Sequence, residues 1–172
     1  MKRAAEILCL LLLAAPAAAL DITATAPAAV KGAAAADFTF AAFTLKGVKW
    51  EGEAVVLPVT ENKGKTYTDV KLLSKGVYKR LEACFKAGCA PAKAKAAPKL
   101  KIEALKPLKS KARVANAELS FDGELLVVAG VMASSREPGT FWVAFPDAVD
   151  FLDGAFKASV ESAVIAAWTK KK

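Results

Sequence analysis

The stretch VANAELSFDGELLVVAGVM, residues 114–132, decides the fold class. In its first half, Ala115, Ala117, Leu119 and Phe121 fall on one face, and Val114, Asn116, Glu118 and Ser120 on the other. A period of two marks a half-buried strand. Asp122-Gly123 follows. A tight type I′ hairpin needs such a pair, because both central residues take φ > 0. Glu124 to Met132 is the returning strand, apolar on both faces. The stretch therefore predicts a long antiparallel hairpin.

Downstream, Ser134 to Gly139 reads as a loop and Thr140 to Phe145 as a strand closed by Pro146. Phe156, Val160, Val164 and Trp168 share a stripe, which predicts a C-terminal helix within 156–169. Upstream, Leu100 to Leu108 reads as a strand despite Pro107. Residues 90–99, APAKAKAAPK, cannot bury a core and predict an extended linker. The segment before it repeats the order. Strands are expected from Phe38 to Leu45, from Trp50 to Val59 with Pro58 at a sheet edge, and from Thr66 to Leu73. Asn62-Lys63-Gly64-Lys65 is a turn. Val77, Leu81, Cys84 and Phe85 share a helical face, with Ser74 as cap and Gly88 as stop. Residues 20–36 are Ala-rich without a clean period and read as a flexible lead-in.

The expected fold class is α+β: an antiparallel sheet with a long hairpin and a C-terminal helix over 100–172, preceded by a smaller strand-and-helix unit over 37–89. The common order raises internal duplication as a reading, although the two halves share little sequence identity.

The N-terminal residues have a separate character. Lys2 and Arg3 precede the apolar run Ile7 to Leu13, and Ala17-Ala18-Ala19 is a small-residue cleavage site. This pattern predicts a secretory signal peptide over 1–19, with Leu20 starting the exported chain. The competing reading is an N-terminal anchor, for which the run is shorter than the roughly 20 residues a spanning helix needs. No later run is long enough to span a membrane, so a periplasmic or extracellular protein is expected.

The chain has no histidine among its 172 residues, which excludes His-based triads and His zinc sites. Neither G-x-S-x-G, S-x-x-K nor a phosphate-binding G-x-x-x-x-G-K-[ST] occurs. The expectation is a non-enzymatic protein without a cofactor or metal. Cys84 and Cys89, on either side of Gly88, suit a structural disulfide in an oxidising compartment. Free thiols and a redox pair are the alternatives. Asp147, Asp150 and Asp153 recur every three residues; a solvated loop is favoured over a calcium site, whose ligands alternate differently. Glu51 and Glu53 would share one face of a strand, and Trp50, Trp142 and Trp168 read as core or interface residues.

The formal net charge is +8, from 25 Lys+Arg against 17 Asp+Glu. Lys106, Lys109, Lys111, Arg113, Lys170, Lys171 and Lys172 are the candidates for a polyanion-binding surface, with solubility as the plain alternative. No aromatic residues are interleaved with them, and arginines are few. Both facts weigh against reading of specific bases.

From Leu100 onward the chain resembles the SpoVG family, the bacterial stage V sporulation protein G or septation-protein family. The resemblance is carried by Ala115-Asn116-Ala117, Leu119-Ser120-Phe121-Asp122 and Leu125 to Val131. It is closest in Gly139-Thr140-Phe141-Trp142-Val143-Ala144-Phe145-Pro146, which is similar to the family's strand ending F-V-A-M-P. Asp153-Gly154-Ala155-Phe156-Lys157 resembles its D-G-x-F-[KR] segment, and Val160 to Trp168 its terminal helix. Asp147 and Ala148 replace the family's serine and basic residue after the proline, and its His-Pro segment is missing. The family is cytoplasmic, unlike a chain with an export signal. The resemblance implies that fold, a homo-oligomer formed through the sheet, and a regulatory role linked to septation. The resulting expectation is an exported SpoVG-like binding or regulatory protein whose partner is a polyanion or an envelope protein. The alternative is a nucleic-acid-binding regulator that uses the basic surface.

Overall fold

The computed structural model describes residues 20–171 apart from 91, 94 and 95. The expected signal peptide over 1–19 and the candidate Lys172 lie outside the described residues. The first half contains β1 (Ala24–Ala26), β2 (Ala35–Phe40), β3 (Phe43–Glu51), β4 (Ala54–Val56), β5 (Thr60–Asn62), β6 (Lys65–Tyr67), β7 (Val70–Leu72) and α1 (Lys75–Ala87). The second contains β8 (Leu100–Pro107), β9 (Arg113–Phe121), β10 (Leu125–Ala133), β11 (Phe141–Ala144), β12 (Val149–Phe151) and α2 (Gly154–Lys171). The fold is α+β: two five-stranded antiparallel sheets, a separate two-stranded β5–β6 sheet, and one helix in each half.

The hairpin 114–132 forms as its alternation requires. Its turn takes φ of 51° at Asp122 and 68° at Gly123. The Glu124 N–H closes it on the Phe121 carbonyl at 3.0 Å. Leu125 is the first residue back in the ladder, opposite Phe121.

Around this hairpin the two halves exchange strands. One sheet runs β1-β2-β3-β12, with β4 also on β3; the other runs β11-β10-β9-β8, with β7 also on β10. Along one edge of β3, Phe43–Leu45 pairs with β12 and Lys49–Glu51 with β4. Along one edge of β10, Leu125–Val127 pairs with β7 and Gly130–Ala133 with β11. Each half thus donates the strand just before its helix to the other half's sheet. Apart from the β5–β6 hairpin, the order of elements repeats. The buried helical residues repeat as well: Val77, Leu81 and Phe85 in α1 have the spacing of Val160, Val164 and Trp168 in α2.

One core results. The Ser74 hydroxyl starts α1 by accepting from the N–H groups of Gly76 and Val77. Phe85 then packs against Phe38 and Trp50, with ring centroids 5.5 and 5.7 Å apart. Asp153 starts α2 by accepting from Ala155 and Phe156 N–H. Trp168 meets Phe141 edge-on at 6.3 Å. Phe43 and Phe121, one from each sheet and both fully buried, meet at 4.9 Å and join the two sides.

Several expectations are corrected. Residues 20–36 are not a flexible lead-in: they form β1 and bury Leu20, Ile22 and Val30. A three-residue edge strand followed by turns leaves no period to read. The run Phe38 to Leu45 contains a turn, with Ala41 at φ 52°, and no Gly, Asn or Asp marks it. Trp50 to Val59 breaks at Gly52-Glu53, where both residues have positive φ. Glu51 and Glu53 therefore do not share a strand. Thr66 to Leu73 divides into β6, which pairs only with β5, and β7, which joins the other sheet. β12 was not expected at all. In the linker, the described residues form no strand or helix, yet Pro98 is buried and Ala92 N–H bonds the Ile22 carbonyl at 2.9 Å.

Replacing Phe121 with alanine should cost about 3–5 kcal/mol, because the ring is fully enclosed. With one core spanning both halves, far-UV circular dichroism and tryptophan fluorescence should give a single shared melting midpoint. Separate midpoints for the two halves would contradict a common core.

Candidate basic surface and adjoining clefts

The turn 108–112 between β8 and β9 and the loop 134–140 between β10 and β11 lie at the same end of their sheet, away from Asp122-Gly123. There Met132 stands opposite Arg113 on one side and Trp142 on the other. The C-terminus of α2 reaches this end too: the Lys171 ammonium donates to the Leu105 carbonyl at 2.6 Å. Lys109, Lys111, Arg136, Lys170 and Lys171 are all exposed and come from three separate segments. Lys106 is nearby but pairs with Glu118. None of Lys109, Lys111 and Lys170 forms an ion pair with a described residue. This end of the molecule is therefore a concentration of available positive charge.

Arg113 is placed differently from the lysines. Its side chain lies across Gly130, where an added Cβ would come within 2.8 Å of Nε. Gly130 is thus the residue that lets the guanidinium lie flat on the sheet. Nε is shielded from solvent and has no hydrogen-bond partner among the described residues, as is also true of Asn116 Oδ1. Asn116 is directly opposite Gly130 in the ladder. Arg113 also lines a cleft of about 150 Å³ whose walls include Thr60, Asp69, Pro146 and Asp147. These walls belong to the two chain crossings between the sheets, one of which carries the inserted β5–β6 hairpin. Two aspartates therefore line the cleft with Arg113, which sets it apart from the lysine group.

Trp142 differs from the other two tryptophans. It is 51% exposed and belongs to no core, whereas Trp168 is buried and Trp50 is half-buried. It borders an open groove of about 590 Å³ with Phe145, Phe151, Lys46 and Lys157. Phe145 and Phe151 pack at 4.6 Å beside it. The sequence reading left core and interface both open for Trp142, because β11 is short and its register alone sets which side faces out.

The remaining candidates have local roles. Cys84 and Cys89 are joined in a disulfide, with their Cα atoms 4.5 Å apart. Asp147 lines the Arg113 cleft, Asp150 is 3.8 Å from the Lys46 ammonium, and Asp153 caps α2. Among the described residues, no group of three or more His, Cys, Asp or Glu is placed to hold a metal ion. No described helix is long and apolar enough to cross a membrane.

Glu124 was not singled out from sequence, yet it collects more partners than any other carboxylate described above. Its Oε2 accepts from Leu20 N–H at 2.7 Å and from the Arg80 guanidinium; Oε1 accepts from the Ser74 hydroxyl at 2.8 Å. These partners are 104, 44 and 50 residues away in the chain, so no local pattern announces them. Burial alone would raise the carboxyl's pKa. The hydrogen bonds from Leu20 and Ser74, with the Arg80 charge, outweigh it and hold the group below the usual carboxylate range.

No family model, curated protein or solved structure matches the chain. The resemblance to the SpoVG family thus rests on the residues quoted for it.

A folded-state pKa that lies below the unfolded value contributes stability above the unfolded pKa and loses it as pH falls through the folded value. The wild-type protein should therefore lose stability progressively below about pH 4.5, near the unfolded glutamate value. Glu124→Gln should be less stable at pH 7, with a shallower loss through that acid window. Equal acid slopes in denaturant melts of the two proteins would refute a depressed Glu124.

Proposed function

We propose that this is an exported, non-enzymatic binding protein that engages a polyanion through the basic end of its second sheet. The observation that carries the reading is the convergence of Lys109, Lys111, Arg136, Lys170 and Lys171 from three segments. Such clustering gives a field that attracts polyanions without regard to sequence. Arg113 lies in a cleft with two aspartates, so few arginine forks are left for reading bases. That favours a sequence-independent polyanion, such as an acidic envelope polymer, over the nucleic-acid alternative. Trp142, exposed in the row it shares with Met132 and Arg113 at this end of the sheet, supplies an apolar surface on which a polymer's ring groups can rest.

Export is supported by Lys2-Arg3, the run Ile7 to Leu13 and Ala17-Ala18-Ala19. The Cys84–Cys89 disulfide suits an oxidising compartment. A septation-linked regulatory role is the finer reading, and it is carried by the SpoVG-like segments 139–146 and 153–157.

Dextran sulfate should bind at low salt, with log K falling linearly as log salt rises, while neutral dextran should not. The triple variant Lys109→Glu, Lys111→Glu, Lys170→Glu should bind roughly tenfold more weakly or worse. Undiminished binding by that variant, or no binding at low salt, would remove the basic end from the function. Single-stranded DNA binding that outlasts high salt would favour the alternative.

A further inference from the structure

We propose that hydrolysis between Ala19 and Leu20 creates an α-ammonium group that docks on Glu124 and completes the fold. Leu20 is buried, at 2% exposure. Its backbone nitrogen is already 2.7 Å from Glu124 Oε2. Its carbonyl accepts from Arg80 at 3.3 Å, and Arg80 also pairs with Glu124. The other carboxylate oxygen is held by Ser74, the residue that caps α1. One carboxylate in the second sheet's hairpin thereby holds Leu20 and the start of the first helix.

An amide nitrogen offers that carboxylate one N–H and no net charge. An ammonium group offers three donors and a full positive charge, and charge-assisted hydrogen bonds are roughly twice as strong as neutral ones. Arg80 and the new ammonium would share the Glu124 carboxylate, whose Oε2 both already approach.

The geometry also selects the bond that is cut. The alanines at 17, 18 and 19 make several neighbouring positions chemically acceptable as small-residue sites. A chain starting one residue earlier would carry its charge about 3.8 Å further along the backbone and leave a neutral amide at Leu20. Only cleavage after Ala19 places the charge on the atom that touches Glu124. The step is a hydrolysis catalysed by a host endopeptidase of the signal-removing type. The C–N bond breaks; water supplies the oxygen that converts the Ala19 carbonyl to a carboxylate and both protons that turn the Leu20 N–H into an ammonium, and no redox partner is involved.

The inference rests on the export reading, and its test separates the two. The full chain is produced in an exporting bacterial host, and the envelope and cytosolic fractions are examined by intact mass and N-terminal sequencing. The expected product begins at Leu20. In the folded protein its α-amine should react with an acylating reagent at pH 7 roughly tenfold more slowly than after denaturation, because the pair keeps it protonated. Glu124→Gln should release that protection. If this variant fails to fold, a chain beginning at Ala19 serves instead and should melt at a lower temperature than the Leu20 chain. An exported product with any other N-terminus overturns this inference and leaves export intact. Retention of residues 1–19 in every fraction overturns both. A freely acylated amine in the folded protein, or equal melting of the two chains, overturns the docking alone.

Discussion

The reciprocal exchange of β7 and β12 is the constraint on which the rest of the structure depends. The edge of β10 is completed by a strand from the first half, and the edge of β3 by a strand from the second. Unpaired backbone groups at those edges would lack partners, so neither sheet is whole without the other half. The exchange also places each helix next to the crossing. Phe43 and Phe121 then meet in the middle, and their contact is central rather than peripheral. Two halves with the same order of elements thus share one core.

Exceptions to the repeated order coincide with its polar chemistry. The β5–β6 hairpin is exposed along its whole length and contributes nothing to the core. Its first residue, Thr60, and Asp69 just beyond it instead wall the cleft lined by Arg113. Glu124 has a comparable position, one residue outside the ladder at the hairpin turn. That offset frees its side chain from the sheet and lets it gather Leu20, Ser74 and Arg80. Both sites lie where regular pairing lapses, and both join parts of the chain that are far apart in sequence.

The basic end follows a different logic. Its lysines occupy turns and a helix terminus, where long charged side chains remain in water. Positive groups in the last turn of α2 also suit the negative end of the helix dipole. Lys171 on the Leu105 carbonyl covers part of an edge strand that would otherwise invite pairing with another chain. The same residues therefore have structural uses, and it is their convergence that supports binding.

Much of the local architecture was legible in the sequence by itself. Alternation at 114–121 and the Asp-Gly pair specified the long hairpin, and a helical stripe with Ser74 and Gly88 specified α1, because these patterns depend on neighbours along the chain. The lysine-rich ends were legible in the same way. Sequence did not show that Ala41 is a turn, since alanine does not signal positive φ, and the single Gly52 lay inside a run that otherwise reads as a strand. Nor did it show β1 and β12, which are too short to have a period. The exposure of Trp142, the shelter of Arg113 over Gly130 and the partners of Glu124 were decided only in the tertiary structure. Each depends on which strand lies beside which, and strand exchange between the halves brings together residues that no window of sequence contains.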